Sequence, residues 1–164
     1  MDKTEDGRAV GLVPIETMAA MSGLEFLSGL ASGRFPVPPM AATLGFRLIE
    51  VERGRAVFRV LPELHHYNPI GSVHGGLAMT LLDSCIGCAV QTTLAAGLGY
   101  TSVETKVNFT RAVGHESGPL LAEGLIISEG RRICTAKGRL IGAEDGRLYA
   151  HGTGTCFVFP IGGA

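Results

Sequence analysis

The chain reads as α+β: one antiparallel sheet wrapped around a single long apolar helix, with a further helix ahead of it. Three observations carry this. Residues 75–96, GGLAMTLLDSCIGCAVQTTLAA, form a long apolar run without alternation, too long for a strand. Period-two runs flank it on both sides. Turn pairs separate those runs at hairpin spacing.

Each element follows in order. Residues 1–11 read as loose. From Pro14 to Leu30, Ile15, Met18, Met21, Leu24 and Leu27 recur at helical spacing, which predicts a short amphipathic helix. RFPVPP stops it, because proline disfavours helix in its predecessor. Phe46, Leu48 and the Val51 region predict one strand and Ala56, Phe58 and Val60 the next, turning at Arg53-Gly54. HHYNPIGSV is a loop, with turn chemistry at Asn68-Pro69 and Gly71-Ser72.

After the central helix the period becomes two. In TSVETKVNFTRAV, Val103, Val107 and Phe109 share one face, and Ser102, Glu104, Lys106 and Asn108 the other. LLAEGLIIS, RRICTAKGRLIG and RLYAHGTGTCFVF predict three more strands, with turns at Glu129-Gly130 and Asp145-Gly146. These four strands are expected as a meander. A helix apolar nearly all round must be buried, and a meander has one apolar face to offer it. The organisation expected is an N-terminal extension over residues 1–40 and one folded domain over 41–160.

Composition narrows the function. The net charge is −1, so the chain lacks the basic excess a nucleic-acid surface needs. The polar, acidic start has no basic-then-apolar pattern, so a reduced, cytoplasmic setting is expected. The four cysteines are then free thiols. A membrane span over 75–96 is disfavoured by Asp83 near its middle, which costs roughly 2.5–3.5 kcal/mol on insertion scales. C85-I-G-C88 lies mid-helix with no second pair, which suits neither redox nor zinc chemistry. His65 and His66 read as solvated loop residues, and His115 and His151 as surface or strand residues.

The chemistry concentrates at the start of the central helix. Placing that start at Gly75 leaves backbone N–H groups without partners, at the positive end of the macrodipole. Gly75 and Gly76 let a ligand approach the backbone closely. Such a place suits a carbonyl oxygen becoming an oxyanion. Asn68 can add a side-chain N–H, and His74 can position the loop or the ligand. Asp83 lies eight residues on, roughly 12 Å along the axis. One helix cannot bring its own Asp83 to its own start, but a second copy across a two-fold axis can. Gly76, Thr80, Asp83, Ser84, Gly87 and Gln91 form a small, polar stripe that would admit that partner. Leu77, Leu81, Cys85, Cys88 and Ala89 are expected to face the sheet. Arg111 is placed either to meet a phosphate or to stand as a solvated strand-end cation.

N68-x-x-G71-x-x-H74-G75-G76, followed by L81-L82-D83, resembles the hotdog-fold thioesterases of the PaaI-like type (phenylacetate degradation, 4-hydroxybenzoyl-CoA thioesterase-like). SVETKVNFTRAV resembles the strand that follows their central helix. The resemblance covers roughly residues 44–158. It implies a hotdog fold, a dimer or dimer of dimers forming a homotetramer, and hydrolysis of acyl-CoA thioesters with no cofactor beyond the substrate's own CoA. It implies that Gly75 N–H and Asn68 polarise the carbonyl, that Asp83 of the partner attacks it or activates water, and that Ser102 helps hold that water. His74 would support the loop. Gly76, Thr80, Ser84 and Arg111 would border the substrate. Two other functions share the fold: a non-catalytic acyl-CoA-binding protein and an acyl-thioester dehydratase or hydratase. The His–carboxylate pairing of the latter is not found in this sequence.

Overall fold

The computed structural model describes residues 3, 4 and 7–161. Three short helices come first: α1 (Ile15–Ala19), α2 (Gly23–Ala31) and α3 (Pro39–Thr43). A hairpin follows, β1 (Arg47–Glu52) and β2 (Arg55–Val60), then the central helix α4 (Gly75–Gln91). Strands β3 (Leu98–Phe109), β4 (Leu120–Ser128), β5 (Ile133–Gly142) and β6 (Leu148–Pro160) complete the chain.

The hairpin turns where expected, at Gly54 with φ 79°. All strand pairings are antiparallel, in one six-stranded sheet ordered β1-β2-β4-β5-β6-β3. That order corrects the expected four-strand meander. Only β4, β5 and β6 run as neighbours. Strand β4 takes the place beside β2, and β3 crosses to the far edge beside β6. Periodicity fixes which residues share a face, and it carries no information on which neighbour a strand chooses.

The helix lies flush on this sheet because glycines clear its path. A Cβ on Gly124 of β4 would meet the Cys85 carbonyl. One on Gly138 of β5 would stand 3.0 Å from Ile86 and Leu82, and one on Gly154 of β6 2.8 Å from Ile86. The helix answers with Leu81, Leu82, Cys85, Ile86, Ala89 and Val90, each 0% exposed. Burial of these side chains, at about 1.5–3 kcal/mol for each large one, is what holds helix to sheet.

The helix is shorter than the apolar run. It ends at Gln91, and the Thr92 and Thr93 hydroxyls donate back to the Ala89 and Val90 carbonyls at 2.7 and 2.8 Å. Such back-bonding competes with helix continuation. Thr92 Oγ1 also accepts from Gly54 N–H at 2.7 Å, tying the hairpin turn to the helix end. Among the described residues, no helix is long and apolar enough to cross a membrane.

The N-terminal segment differs from its expected form in three ways. The single helix over Pro14–Leu30 is two helices, because Ser22 restarts the chain. Its hydroxyl accepts from Glu25 N–H, and the Glu25 carboxylate accepts from Ser22 N–H, a reciprocal cap. Proline at the first turn starts α3, which periodicity did not reveal. The stretch expected to be loose is anchored over 7–11: Val37 N–H donates to the Ala9 carbonyl at 2.8 Å and Gly11 N–H to the Val37 carbonyl at 3.0 Å. Residues 1, 2, 5 and 6 lie outside the described residues.

Candidate active site

The loop entering α4 is built by Asn68. Its side-chain oxygen accepts from Ile70 N–H at 3.0 Å, and its amide donates to Ser72 Oγ at 3.1 Å. Gly71, at φ 83°, completes the reversal. Asn68 therefore organises the loop, and one amide hydrogen remains beyond that bond. His66 holds the same loop from beneath. Its Nδ1 accepts from Glu63 N–H at 2.9 Å, so Nε2 carries the proton and donates to the Leu44 carbonyl at 3.0 Å. His66 is 5% exposed, which corrects its reading as a solvated residue. The His66 carbonyl accepts from His74 N–H at 2.8 Å, placing the helix start.

His74 is the N-cap of α4. Its Nδ1 accepts from Gly76 N–H at 2.8 Å, so the Gly76 donor is taken. The Gly75 N–H stands at the first helical position, without an intrahelical acceptor. Among the described residues it meets no other. Gly75 opens into a cavity of about 410 Å³ that Phe109, Arg111 and Tyr149 also line.

Asp83 lies elsewhere. Its side chain is exposed on the open face of α4. Thr105 of β3 donates to Asp83 Oδ1 at 2.9 Å. Sequence reasoning missed Thr105. Its signal was a hydroxyl at the parity of Val107 and Phe109, on a face otherwise apolar. A bulge between Ser102 and Glu104 then changes the faces. Ser102 opposes buried Cys156, and Thr105 opposes Gly154, whose missing side chain faces Ile86 of α4. Both hydroxyls therefore face the helix, and Val103 turns outward at 58% exposure. Ser102 stands opposite Cys156, while Thr105 takes the place beside the carboxylate.

The chain thus divides the expected site residues. His74, Gly75 and Arg111 border one cavity, while Asp83, Ser84 and Ser102 border two others on the far flank of α4. Thr80 donates back to the Gly76 carbonyl at 2.9 Å, one turn from Asp83. The stripe on α4 is only partly open. Gly76, Thr80, Asp83 and Ser84 retain access, whereas Gly87 lies under the Tyr100 ring and Gln91 under α2. Cys88, expected to face the sheet, borders the cavities beside Asp83. Burial pushes its thiol up to about 12 and raises Cys85 further, the opposite of an activated thiolate. Among the described residues, no group of His, Cys, Asp and Glu is placed to hold a metal ion.

A single antiparallel sheet wrapped on one long helix defines the fold class, a hotdog fold. Comparison with known proteins agrees. The family model of the thioesterase superfamily matches residues 70–149. A protein of Saccharolobus solfataricus, provisionally named an esterase, is 28% identical over 115 residues, covering 70% of this chain and 79% of that one. The structure of a phenylacetic acid degradation-related protein of Ralstonia eutropha JMP134 is 29% identical, with a TM-score of 0.71 over 80% of this chain and 98% of the other. A mutant of the phenylacetic acid degradation protein PaaI of Thermus thermophilus is 26% identical, with a TM-score of 0.65 over 73% and 97%. The chain is similar to the thioesterase superfamily over residues 70–149, and its structural likeness is to the PaaI-like hotdog proteins.

Proposed function

We propose that this chain hydrolyses acyl-CoA thioesters at a site shared by two copies. The observation that carries this reading is the division of the site. An oriented carboxylate, Asp83, and an unpartnered N–H, Gly75, stand eight residues apart on one helix, roughly 12 Å along its axis. Two such helices, antiparallel about a two-fold axis, bring each Asp83 to the other's Gly75. Support for a partner comes from the surface. Met79, on the same helical stripe as Asp83, is 48% exposed, and Val103 and Phe109 on edge strand β3 are 58% and 55% exposed.

The chemistry is simple in parts. The Gly75 N–H, with the Asn68 amide as a second donor, receives the carbonyl oxygen as it becomes an oxyanion. Asp83 takes a proton from water while the oxygen of that water bonds to the carbonyl carbon. The oxyanion then collapses, the C–S bond breaks, and the departing CoA thiolate takes the proton. Alternatively, Asp83 attacks directly and water cleaves the resulting anhydride. A thiolate leaves readily, so no separate leaving-group acid is required. Neither route needs a cofactor beyond the CoA of the substrate. Arg111 borders the Gly75 cavity, and a CoA phosphate is the partner proposed for it.

The test is thiol release from a panel of acyl-CoAs, wild type beside Asp83→Asn. The expected result is turnover in the wild type and a loss of at least about a hundredfold in a folded variant. Unchanged turnover in Asp83→Asn would overturn the mechanism. Binding of acyl-CoA without turnover in the wild type would leave a binding protein instead.

A further inference from the structure

Two cavities meet at Asp83, and the N-terminal segment walls both. The inner one, about 240 Å³, lies between α2, the 37–41 stretch and the α4 face that carries Asp83, Ser84 and Cys88. The outer one, about 670 Å³, passes from Asp83 along Tyr100 to Met18, Phe159 and Ile161. Leu27 and Leu30 of α2 line both.

Helix α2 is a fixed wall. Gly23 N–H donates to the Leu94 carbonyl at 3.0 Å, and a side chain on Gly23 would run into the Gln91 carbonyl. At its other end, Arg8 Nη2 donates to the Leu30 carbonyl at 2.9 Å. All of this wall lies ahead of residues 70–149, the part that the thioesterase superfamily model matches.

The lining chemistry selects an occupant. Leu27, Leu30, Val37, Met40, Phe46 and Phe58 make the inner chamber chiefly apolar. Its polar exceptions gather around Asp83 and Ser84, with Arg8 and Arg47 also on its border. Tyr100 packs its phenol into the notch left by Gly87, and burial, with nearby thiols and Asp83, holds that phenol protonated. A chiefly apolar chamber opening at the reacting carboxylate fits the acyl half of a thioester. Its volume equals about eight waters at roughly 30 Å³ each, which exceeds an acetyl group.

We infer that α2 is the acyl-chain gauge of this site, with Leu27 and Leu30 setting how long an apolar acyl group it accepts. This rests on the hydrolase reading above. The experiment measures kcat/KM across straight-chain acyl-CoAs from acetyl to palmitoyl, for wild type, Leu30→Ala and Leu30→Trp. In parallel, calorimetry measures binding of the same thioesters to Asp83→Asn forms of all three. The wild-type profile should climb by up to about fourfold per buried CH₂ to a maximum and then level or fall. Leu30→Trp should move the maximum to shorter chains, with at least a tenfold loss on the longest, and Leu30→Ala should move it to longer ones. Opposite shifts are not produced by general loss of stability. The same profile in all three proteins, or binding independent of chain length, overturns the gauge. Chain-length-dependent binding that shifts with Leu30, without turnover in the wild type, upholds the gauge and overturns the hydrolase reading.

Discussion

Thr105 Oγ1 donates to Asp83 Oδ1 at 2.9 Å, joining the edge strand to the open face of the central helix. The bond fixes the direction of a carboxylate that is otherwise solvent-exposed. Its partner strand presents this hydroxyl to the helix only because a bulge between Ser102 and Glu104 precedes it.

Thr105→Val keeps the shape and removes the hydroxyl. Hydrogen bonds to charged groups contribute about 1.5–3 kcal/mol. A kcat loss of roughly ten- to a hundredfold is expected, with KM little changed, and Thr105→Ser should restore most of it. Steady-state kinetics on the best acyl-CoA decides the matter. Equal kcat in wild type and valine variant would mean that Thr105 only packs.

Gly75→Pro isolates the oxyanion donor. Proline is accepted at the first helical position, and it lacks only the N–H that the helix does not use. The residue before it, His74, already has φ −62° and ψ 133°, which proline permits. A side chain here approaches the Phe109 ring at 3.1 Å, and that ring is on the surface and can yield. The variant should fold with a similar melting temperature and lose about 10²–10³ in kcat. Retained activity would remove Gly75 from the mechanism.

His66 makes stability depend on pH. Desolvation, helped by neighbouring His65, lowers its pKa below 6.5, against the opposing pull of the Leu44 carbonyl bond and of Glu63. Protonation would also abolish the Nδ1 acceptor that holds Glu63 N–H. The unfolded chain therefore takes up a proton at higher pH than the folded one. The contribution is present above pH 6.5 and is lost as pH falls from there toward the folded value. Urea midpoints measured from about pH 8 to about pH 5 should fall in the wild type and fall less in His66→Gln. Parallel curves would assign the acid loss to other groups.

Gly23→Ala places a methyl against the Gln91 carbonyl, which is backbone and cannot move aside. Overpacking of this kind costs about 1–3 kcal/mol. Helix α2 should swing from α4, lowering the melting temperature and broadening acyl-chain preference together. An unchanged melting temperature would show that α2 docks by other contacts.

The central helix and six strands were legible because each repeats its own local period, and turn residues such as Gly54 and Asp145-Gly146 mark the ends. The helix-start motif was legible for the same reason: His74, Gly75 and Gly76 act on neighbours within one turn. Asn68 was recognised as important, but its bonds to Ile70 and Ser72 give it a loop-building part that spacing did not disclose. The sequence alone therefore determined the central helix and the strands, the glycine start and the lone carboxylate on the helix. Only the tertiary structure decided that β3 lies beside β6, that a bulge turns Thr105 toward Asp83, and that α2 walls the cavities there. The reason is range. Periodicity and caps are set by residues a few positions apart, whereas strand order, a bulge and a docked helix are set by which distant surfaces fit together.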